Sequence, residues 1–541
     1  MKLWKAIAFL CLVWAAIYLP MLGSQELRGE EARRILPAQE MLESGDWIVP
    51  RIAGEVYSNK PPLINWAIAA SFFLTGSQSE FAARLPSVLS VLFLAVSGLL
   101  FLRSFLGTPQ ATAVGLVLLS SIAMIDKCRM AEIESLYIAL FGIACFCWIN
   151  CWASKKSAWL VWTVPYVFLG LGWLAKGPVH LLFWILFVVS ILSCSRRWRD
   201  MLHPAHLFGI AIMALLFLPW MNANLAAVGA PDQAVGTWKE QLAMRFEFEG
   251  VNFSEWALRP LEILGNLLPW SIPLVFAWMQ IRRGNTIPEN RNGDDRFGAV
   301  IRGCLIAFAL SCLVICLLPA GRPRYVMPAF PVAALATVGL YFQVSPNWRA
   351  RYAKWTRVSF FLLVPLIMIF LVGSSIRAAQ ENLELQWIFV ITGFLILSGL
   401  LIHVSKQKEL RHLFFVTSLF LATGTMSVIT AVLPFQREHR SMEETANSLA
   451  TLAKTENRTL VIYADESFRE GYTKELRLIY YLDTEGIAIG ENGTFPEGPL
   501  LVAGRPKFEK PIRRSQLSGR KPGERSSINI DGRQLSLLEI D

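Results

Sequence analysis

Residues 133–152 read IESLYIALFGIACFCWINCW, an apolar run with a single charge, Glu134, at its second position. A run of ~20 such residues is what a helix needs to cross the hydrocarbon core of a bilayer. Comparable runs recur on both sides of it, near 6–22, 84–106, 111–127, 158–175, 178–194, 205–225, 261–281, 300–318, 325–343, 357–375, 387–404 and 412–434. They add up to about thirteen spans, so the chain reads as an α-helical polytopic membrane protein. Composition agrees: apolar residues make up 54% and charged residues 17%, against roughly 25% charged in soluble domains. The opening Met1-Lys2-Leu3-Trp4-Lys5 and the run to Leu22 lack a small-x-small cleavage pattern, and they read as a retained first helix rather than a signal peptide.

The net charge of +10 would suggest nucleic acid in a soluble protein. Here the basic residues flank spans, where they orient helices and touch headgroups, so nucleic acid is not an expected partner and membrane lipid is. With the N-terminus cytoplasmic, the inner loops collect Lys155-Lys156, Arg196 to Arg199, Arg282-Arg283, Arg349 to Lys354 and Lys406 to Arg411. An odd span count then puts loops 23–82 and 226–260 and the tail 435–541 on the outer face. Residues 1–434 form the membrane domain. In the tail, 459–464 and 499–503 read as strands, 468–481 as a helix, and the stretch from Lys507 as partly irregular; a small α/β domain fits. The nine cysteines sit in or beside apolar runs and read as small hydrophobes. No cluster has metal-ligand spacing and no cofactor is implied. No internal repeat is visible.

The outer loops carry the chemistry. Gly29-Glu30-Glu31-Ala32-Arg33-Arg34 opens a stretch, 31–43, whose apolar spacing suits an amphipathic surface helix, with Pro37 inside it suggesting a kink or a later start. Paired acids there fit a helix N-terminus or a general base for a hydroxyl. A second acidic pair, Glu132 and Glu134, follows Arg129 at the outer end of the fourth span; ionisable groups at such edges tend to line cavities. Lys60, Arg129, Lys176, Arg322 and Arg324 also stand at outer span ends, against the positive-inside bias, and together suit a phosphate. Trp238, Arg245, Trp256 and Trp270 read as interfacial residues that would contact lipid or sugar.

The run from Glu30-Glu31-Ala32-Arg33 through Gly45-Asp46-Trp47 and Tyr57 to Lys60-Pro61-Pro62-Leu63 resembles the first periplasmic loop of the bacterial aminoarabinose transferases and their protein O-mannosyltransferase relatives. Ala82 to Ser87, Lys176-Gly177-Pro178 and Pro323-Arg324-Tyr325 to Pro331 are similar too. The likeness covers residues 1–345 well and the remainder in layout. It implies a GT-C fold with about thirteen membrane helices, outer-face juxtamembrane helices and a small C-terminal α/β domain, in a bacterial inner membrane. It further implies an inverting glycosyltransferase using a polyprenyl-phosphate sugar, undecaprenyl phosphate in a bacterium, with a lipid A-like lipid, a glycan or a protein as acceptor. Glu30, Glu31 and Glu132 would be the catalytic acids, with Glu30 as base. Arg33, Tyr57, Lys60, Arg129, Glu134, Lys176, Arg322, Arg324 and Tyr325 would bind the donor phosphate or substrate. The family's first acid is usually Asp, whose place Glu30 holds, and its Arg-x-Asp motif leaves Glu132 and Glu134 both as matches here. A lipid or solute transporter and a non-catalytic polyprenyl-lipid-binding protein are the competing readings.

Overall fold

A computed structural model of the chain describes residues 1–57, 59–228, 253–286, 296–380, 387–406, 413–437, 441–464, 476–482, 486–490, 493–504, 522–530 and 533–541. Trp238, Arg245 and most of the 226–260 loop lie outside these residues. Among the described helices, seven are long and apolar enough to cross a membrane: Glu80–Leu106, Ile133–Ala153, Ala158–Lys176, Ala205–Val228, Arg296–Leu317, Pro346–Gln380, and Phe330–Gln343 with the 3₁₀ turn Pro323–Ala329 ahead of it. Two further runs are interrupted. The one near 111–127 stops at Leu119 and resumes as Ile122–Lys127; the one near 261–281 is the pair Phe253–Asn266 and Ser271–Arg282, bent by 97°. Leu3–Tyr18, Thr108–Leu119, His180–Ser195, Val390–Val404 and Leu413–Ile429 are shorter apolar helices. The chain is a multi-pass membrane protein.

Ile133–Ala153 is at the centre, 78% buried along its apolar window, whereas Ala205–Val228 and Pro346–Gln380 are each 22% buried and lie at the periphery. Helix ends are satisfied by side chains, as the loss of intrahelical partners there demands. Ser79 accepts from Ala82 N–H at 3.4 Å at the start of Glu80–Leu106. Arg129 donates to the carbonyls of Ile17 and Pro20, both at 2.6 Å, and so closes the end of Leu3–Tyr18. Buried Arg259 does the same for Arg296–Leu317, donating to the carbonyls of Leu318 and Pro319.

The first outer loop is more structured than its sequence suggests. Ala32–Ser44 is a helix that runs through Pro37 and ends at Gly45, φ 73°. Leu63–Thr75, which the sequence reading left inside a loop, is a second helix. A two-stranded ribbon, Arg51–Ile52 with Glu55–Val56, turns at Gly54.

In the tail, Thr459–Tyr463 pairs in parallel with Ile487–Ile489 and Leu500–Gly504, and the antiparallel hairpin Pro522–Ile530 and Arg533–Ile540 completes five strands. That hairpin adds two strands to the two expected in the tail; residues 505–521, which hold the first part of the stretch expected to be partly irregular, lie outside the described residues. The expected helix 468–481 is described only over Leu476–Leu482. Alternation along the strands divides two cores. Val461, Tyr463, Val502 and Leu538 face Phe495 on one side. Leu460, Ile462, Leu501 and Leu537 face Ser441–Thr455, Leu476–Leu482 and, in the same cluster, Leu27, Ile35 and Ile52 of the outer loop.

Polar contacts fix this docking. Glu26 accepts from Met442 and Glu443 N–H, both at 3.0 Å, capping the helix of the tail. Around Leu27, Arg477 donates to its carbonyl at 2.8 Å and Tyr481 accepts its N–H at 2.8 Å. Gly490 N–H reaches the Ala53 carbonyl at 3.0 Å. Glu26→Ala is expected to cost about 1 kcal/mol, the usual worth of a helix N-cap. Faster hydrogen exchange at Met442 and Glu443, with the strands unchanged, is the measurement that checks it.

Candidate functional site

The site is assembled where the turn at Glu26–Glu31 meets the span ends that carry Arg84, Glu134 and Lys176. Its foundation is Glu31, fully buried and held in a fork by Arg84, with Nε to Oε1 at 2.8 Å and Nη2 to Oε2 at 2.9 Å. Glu31 also accepts from the N–H groups of Ala131, at 2.7 Å, and Arg28, at 2.8 Å. Burial alone would raise its carboxyl; Arg84 and these N–H donors outweigh that and hold it below the usual range. Arg84, 3% exposed, spends its remaining donors on the carbonyls of Leu22, Gln25 and Glu26 at 2.7, 2.9 and 3.0 Å. A carboxylate so enclosed and so occupied has no open side for a substrate, so the geometry separates Glu31 from the base role its sequence position suggested.

Glu30 points the other way. Its side chain is 35% exposed, with Oε2 2.9 Å from Arg34 and Oε1 3.6 Å from Arg324. Burial pushes its carboxyl up, but Arg34, Arg324 and Arg33 more than offset this and leave it below the ordinary carboxylate value. Its backbone N–H donates to Glu132 Oε1 at 3.3 Å. Gly29 makes that approach possible: φ is 60°, and a Cβ there would lie 2.7 Å from Glu132 Oε1. Glu132, 3% exposed, is pushed up by burial and by neighbouring Glu134. Glu134 is paired with Lys176 at 2.7 Å. The Lys176 ammonium stands 5.7 Å over Tyr137 and 5.8 Å over Tyr325, the usual cation–π range.

Three acids, Glu30, Glu132 and Glu134, thus face Arg34, Arg324 and Lys176. Below them a cleft of ≈ 60 Å³ runs between spans, headed by Glu134, Lys176, Arg324 and Tyr325 and walled by apolar residues down to Leu182, Phe183 and Val314. Leu182 is exposed at the cleft's lower end. Tyr57 is buried, its hydroxyl accepting from Arg34 at 3.3 Å. Arg33 is half-buried beside the cluster, Lys60 half-buried ahead of Leu63–Thr75, and Arg322 exposed two residues from Arg324. Arg129 is placed elsewhere, spent on the end of the first helix, and burial lowers it to about 10. Among the described residues, no group of three His, Cys, Asp or Glu is placed to hold a metal.

Residues 59–222 match the family described as dolichyl-phosphate-mannose-protein mannosyltransferase. An undecaprenyl phosphate-alpha-4-amino-4-deoxy-L-arabinose arabinosyl transferase of Edwardsiella ictaluri is 27% identical over 349 residues, 62% of this chain and 59% of that protein. Its counterpart in Serratia proteamaculans is 24% identical over 73% of this chain and 70% of the relative. The matched stretches thus span from under half to six-tenths of several such relatives, as with the Pseudomonas paraeruginosa protein at 44%. The crystal structure of ArnT from Cupriavidus metallidurans in the apo state superposes over 98% of this chain and 97% of its own, with a TM-score of 0.66 at 16% identity. The same protein bound to undecaprenyl phosphate gives 0.67 at 15% identity over 99% and 98%. The chain has the GT-C fold of that crystal structure and is similar in sequence to the arabinosyl transferases over part of its length.

Within this GT-C framework, two site residues escaped the sequence reading. Arg34 pairs with Glu30 at 2.9 Å; Glu30 precedes the helix Ala32–Ser44, and spacings of three to Arg33 and four to Arg34 suit a local pair equally, so the sequence did not single out Arg34. Arg84 lay inside a quoted motif without a role, and a lone arginine at a span's start gave no clue to its partner. Breaking a buried pair by removing one member typically costs 3–5 kcal/mol. Glu31→Gln and Arg84→Met are each expected to lower melting temperature and membrane abundance sharply, measured in detergent and by immunoblot. Glu30→Gln, at a half-exposed carboxylate, should leave both near wild type.

Proposed function

We propose that the protein is an integral-membrane glycosyltransferase that moves a sugar from a polyprenyl phosphate to an envelope acceptor, with inversion. The observation that supports it best is the half-exposed Glu30 carboxylate, 3.6 Å from Arg324 at the head of an apolar cleft that Lys176 also heads. The isoprenoid chain would lie in the apolar cleft and its phosphate would meet Lys176, Arg324 and the exposed Arg322, with Tyr325 as a further donor. An acceptor hydroxyl beside Glu30 then attacks the anomeric carbon from the face opposite the phosphate. The new C–O bond forms as the bond to the phosphate oxygen breaks, the proton passes to Glu30, and polyprenyl phosphate leaves as the anion. Single displacement inverts the anomeric centre. Donors aimed at the leaving oxygens act through electrostatic preorganisation, each worth roughly 3–4 kcal/mol in barrier.

Glu30 must be ionised to act as a base, and its flanking guanidiniums ensure that. Their attraction also weakens its basicity. A phosphate engaging Arg324 would cancel part of that attraction and raise Glu30 towards a more effective base, coupling donor binding to proton abstraction. The family description names a protein acceptor; the acceptor we propose is a lipid A-like lipid, a glycan or a protein of the envelope. The setting we propose is a bacterial inner membrane, with the N-terminus cytoplasmic and the site and tail outside.

Transfer of radiolabelled sugar from a native polyprenyl-phosphate pool should be lost in Glu30→Gln at equal abundance, by roughly 10²-fold or more for removal of a general base. Equal transfer in both would remove Glu30 from this role; no wild-type transfer above empty membranes would favour binding or transport. The pH profile gives a second check. A carboxylate with a lowered pKa stays charged until the pH falls through that lowered value. The acid limb of kcat/KM should therefore lie below ~4.3, the ordinary glutamate value. Arg34→Gln should move that limb upward while slowing transfer.

A further inference from the structure

At the opposite end of the same helices lies a second charged concavity, of ≈ 620 Å³. Ile133–Ala153 carries Glu134 at one end and this pocket at the other, and 21 residues of helix put them ~30 Å apart, about the thickness of a bilayer core. The floor is indole: Trp152 and Trp162 are 3% and 1% exposed. The walls carry Lys155, Lys156, Arg197, Arg199 and Arg296. Asp200 is the one carboxylate among the described lining residues, and it already accepts from Trp152 Nε1 at 2.9 Å and Arg197 Nε at 3.1 Å. The Arg296 guanidinium lies 4.9 Å over the Trp152 ring.

We propose that this pocket binds the phosphate of an anionic phospholipid in the leaflet opposite the candidate active site. Basic residues at this face are expected for orientation alone, but they would then be dispersed in water. Here five cations line one concavity over a floor of two indoles, a lining that suits the phosphate of an anionic headgroup. The surroundings favour a lipid over a free ion. Trp159, Leu160, Leu202, Leu207 and Phe208 at the adjoining helix starts are all exposed, Leu202 at 82%. They form an apolar margin on which acyl chains lie while the headgroup sits among the cations. Nothing in this argument depends on the transferase reading.

The test is thermal melting of the full-length protein in neutral detergent, titrated with phosphatidylglycerol, phosphatidylcholine or inorganic phosphate. Phosphatidylglycerol is expected to raise the melting temperature saturably and phosphatidylcholine not to. In Lys155→Gln/Lys156→Gln/Arg199→Gln, three exposed positions, the half-saturating concentration should rise about fivefold for each cation removed. The comparison variant is Arg282→Gln/Arg283→Gln. Those exposed arginines lie on the same face, just before the Thr286–Val344 bridge, and outside the pocket; the response should be retained. An equal loss in both variants would mean diffuse attraction and overturn the proposal. Equal protection by inorganic phosphate would overturn the lipid as ligand and leave a soluble phosphate site.

Discussion

The buried fork between Glu31 and Arg84 is the interaction on which this end of the helix bundle depends. Arg84 starts a membrane span, and Glu31 starts the surface helix Ala32–Ser44, so one ion pair ties the loop to the bundle. Such a pair is costly to desolvate and persists only if every remaining donor and acceptor is used. Here they are. The three carbonyls of the Leu22–Glu26 turn saturate the guanidinium, and the N–H groups of Ala131 and Arg28 complete the carboxylate. The consequence appears one residue earlier. With Glu31 locked inward and Gly29 in the left-handed region, Glu30 can only face outward, across from Glu132. The tail contributes to the same turn by gripping the Leu27 peptide on both sides, so the C-terminal domain is part of the scaffold for Glu30 rather than an appendage.

The cluster around Glu30 is balanced in charge, and this decides how it would treat a ligand. Glu134 occupies Lys176, and Glu30 shares Arg324. An arriving phosphate competes for cations that are already oriented, so it meets donors in place instead of ordering them, which limits the entropic cost of binding. The same exchange releases Glu30 from part of its guanidinium field, as the proposed chemistry requires.

Much of this was legible in the sequence because hydrocarbon imposes strong patterns. Runs such as 133–152 need no tertiary context, and the loop motif from Glu30 to Leu63 is long enough to identify a relative. What stayed hidden depends on direction and partner. Arg33 and Arg34 are adjacent, and only the helix phase shows which one meets Glu30. Arg129 resembled a phosphate ligand by charge and side of the membrane, yet it closes a helix end 109 residues away in sequence. Leu63–Thr75 was hidden within a loop because 13 residues fall short of a span. The strand Pro522–Ile530 was hidden by Gly, Arg and Ser residues, whose weak strand preference is overridden by pairing with Arg533–Ile540, itself paired with Leu500–Gly504.

The most direct test of the central claim is a structure of this protein with polyprenyl phosphate bound in a lipid nanodisc. The account predicts the phosphate within hydrogen-bonding distance of Lys176 Nζ and the Arg324 guanidinium, with Glu134 displaced from Lys176. The isoprenoid chain should run past Leu182 and Phe183, and the Glu31–Arg84 fork should be unchanged. A phosphate seated away from both cations, or a Glu30 turned from the cleft while the lipid is bound, would contradict it.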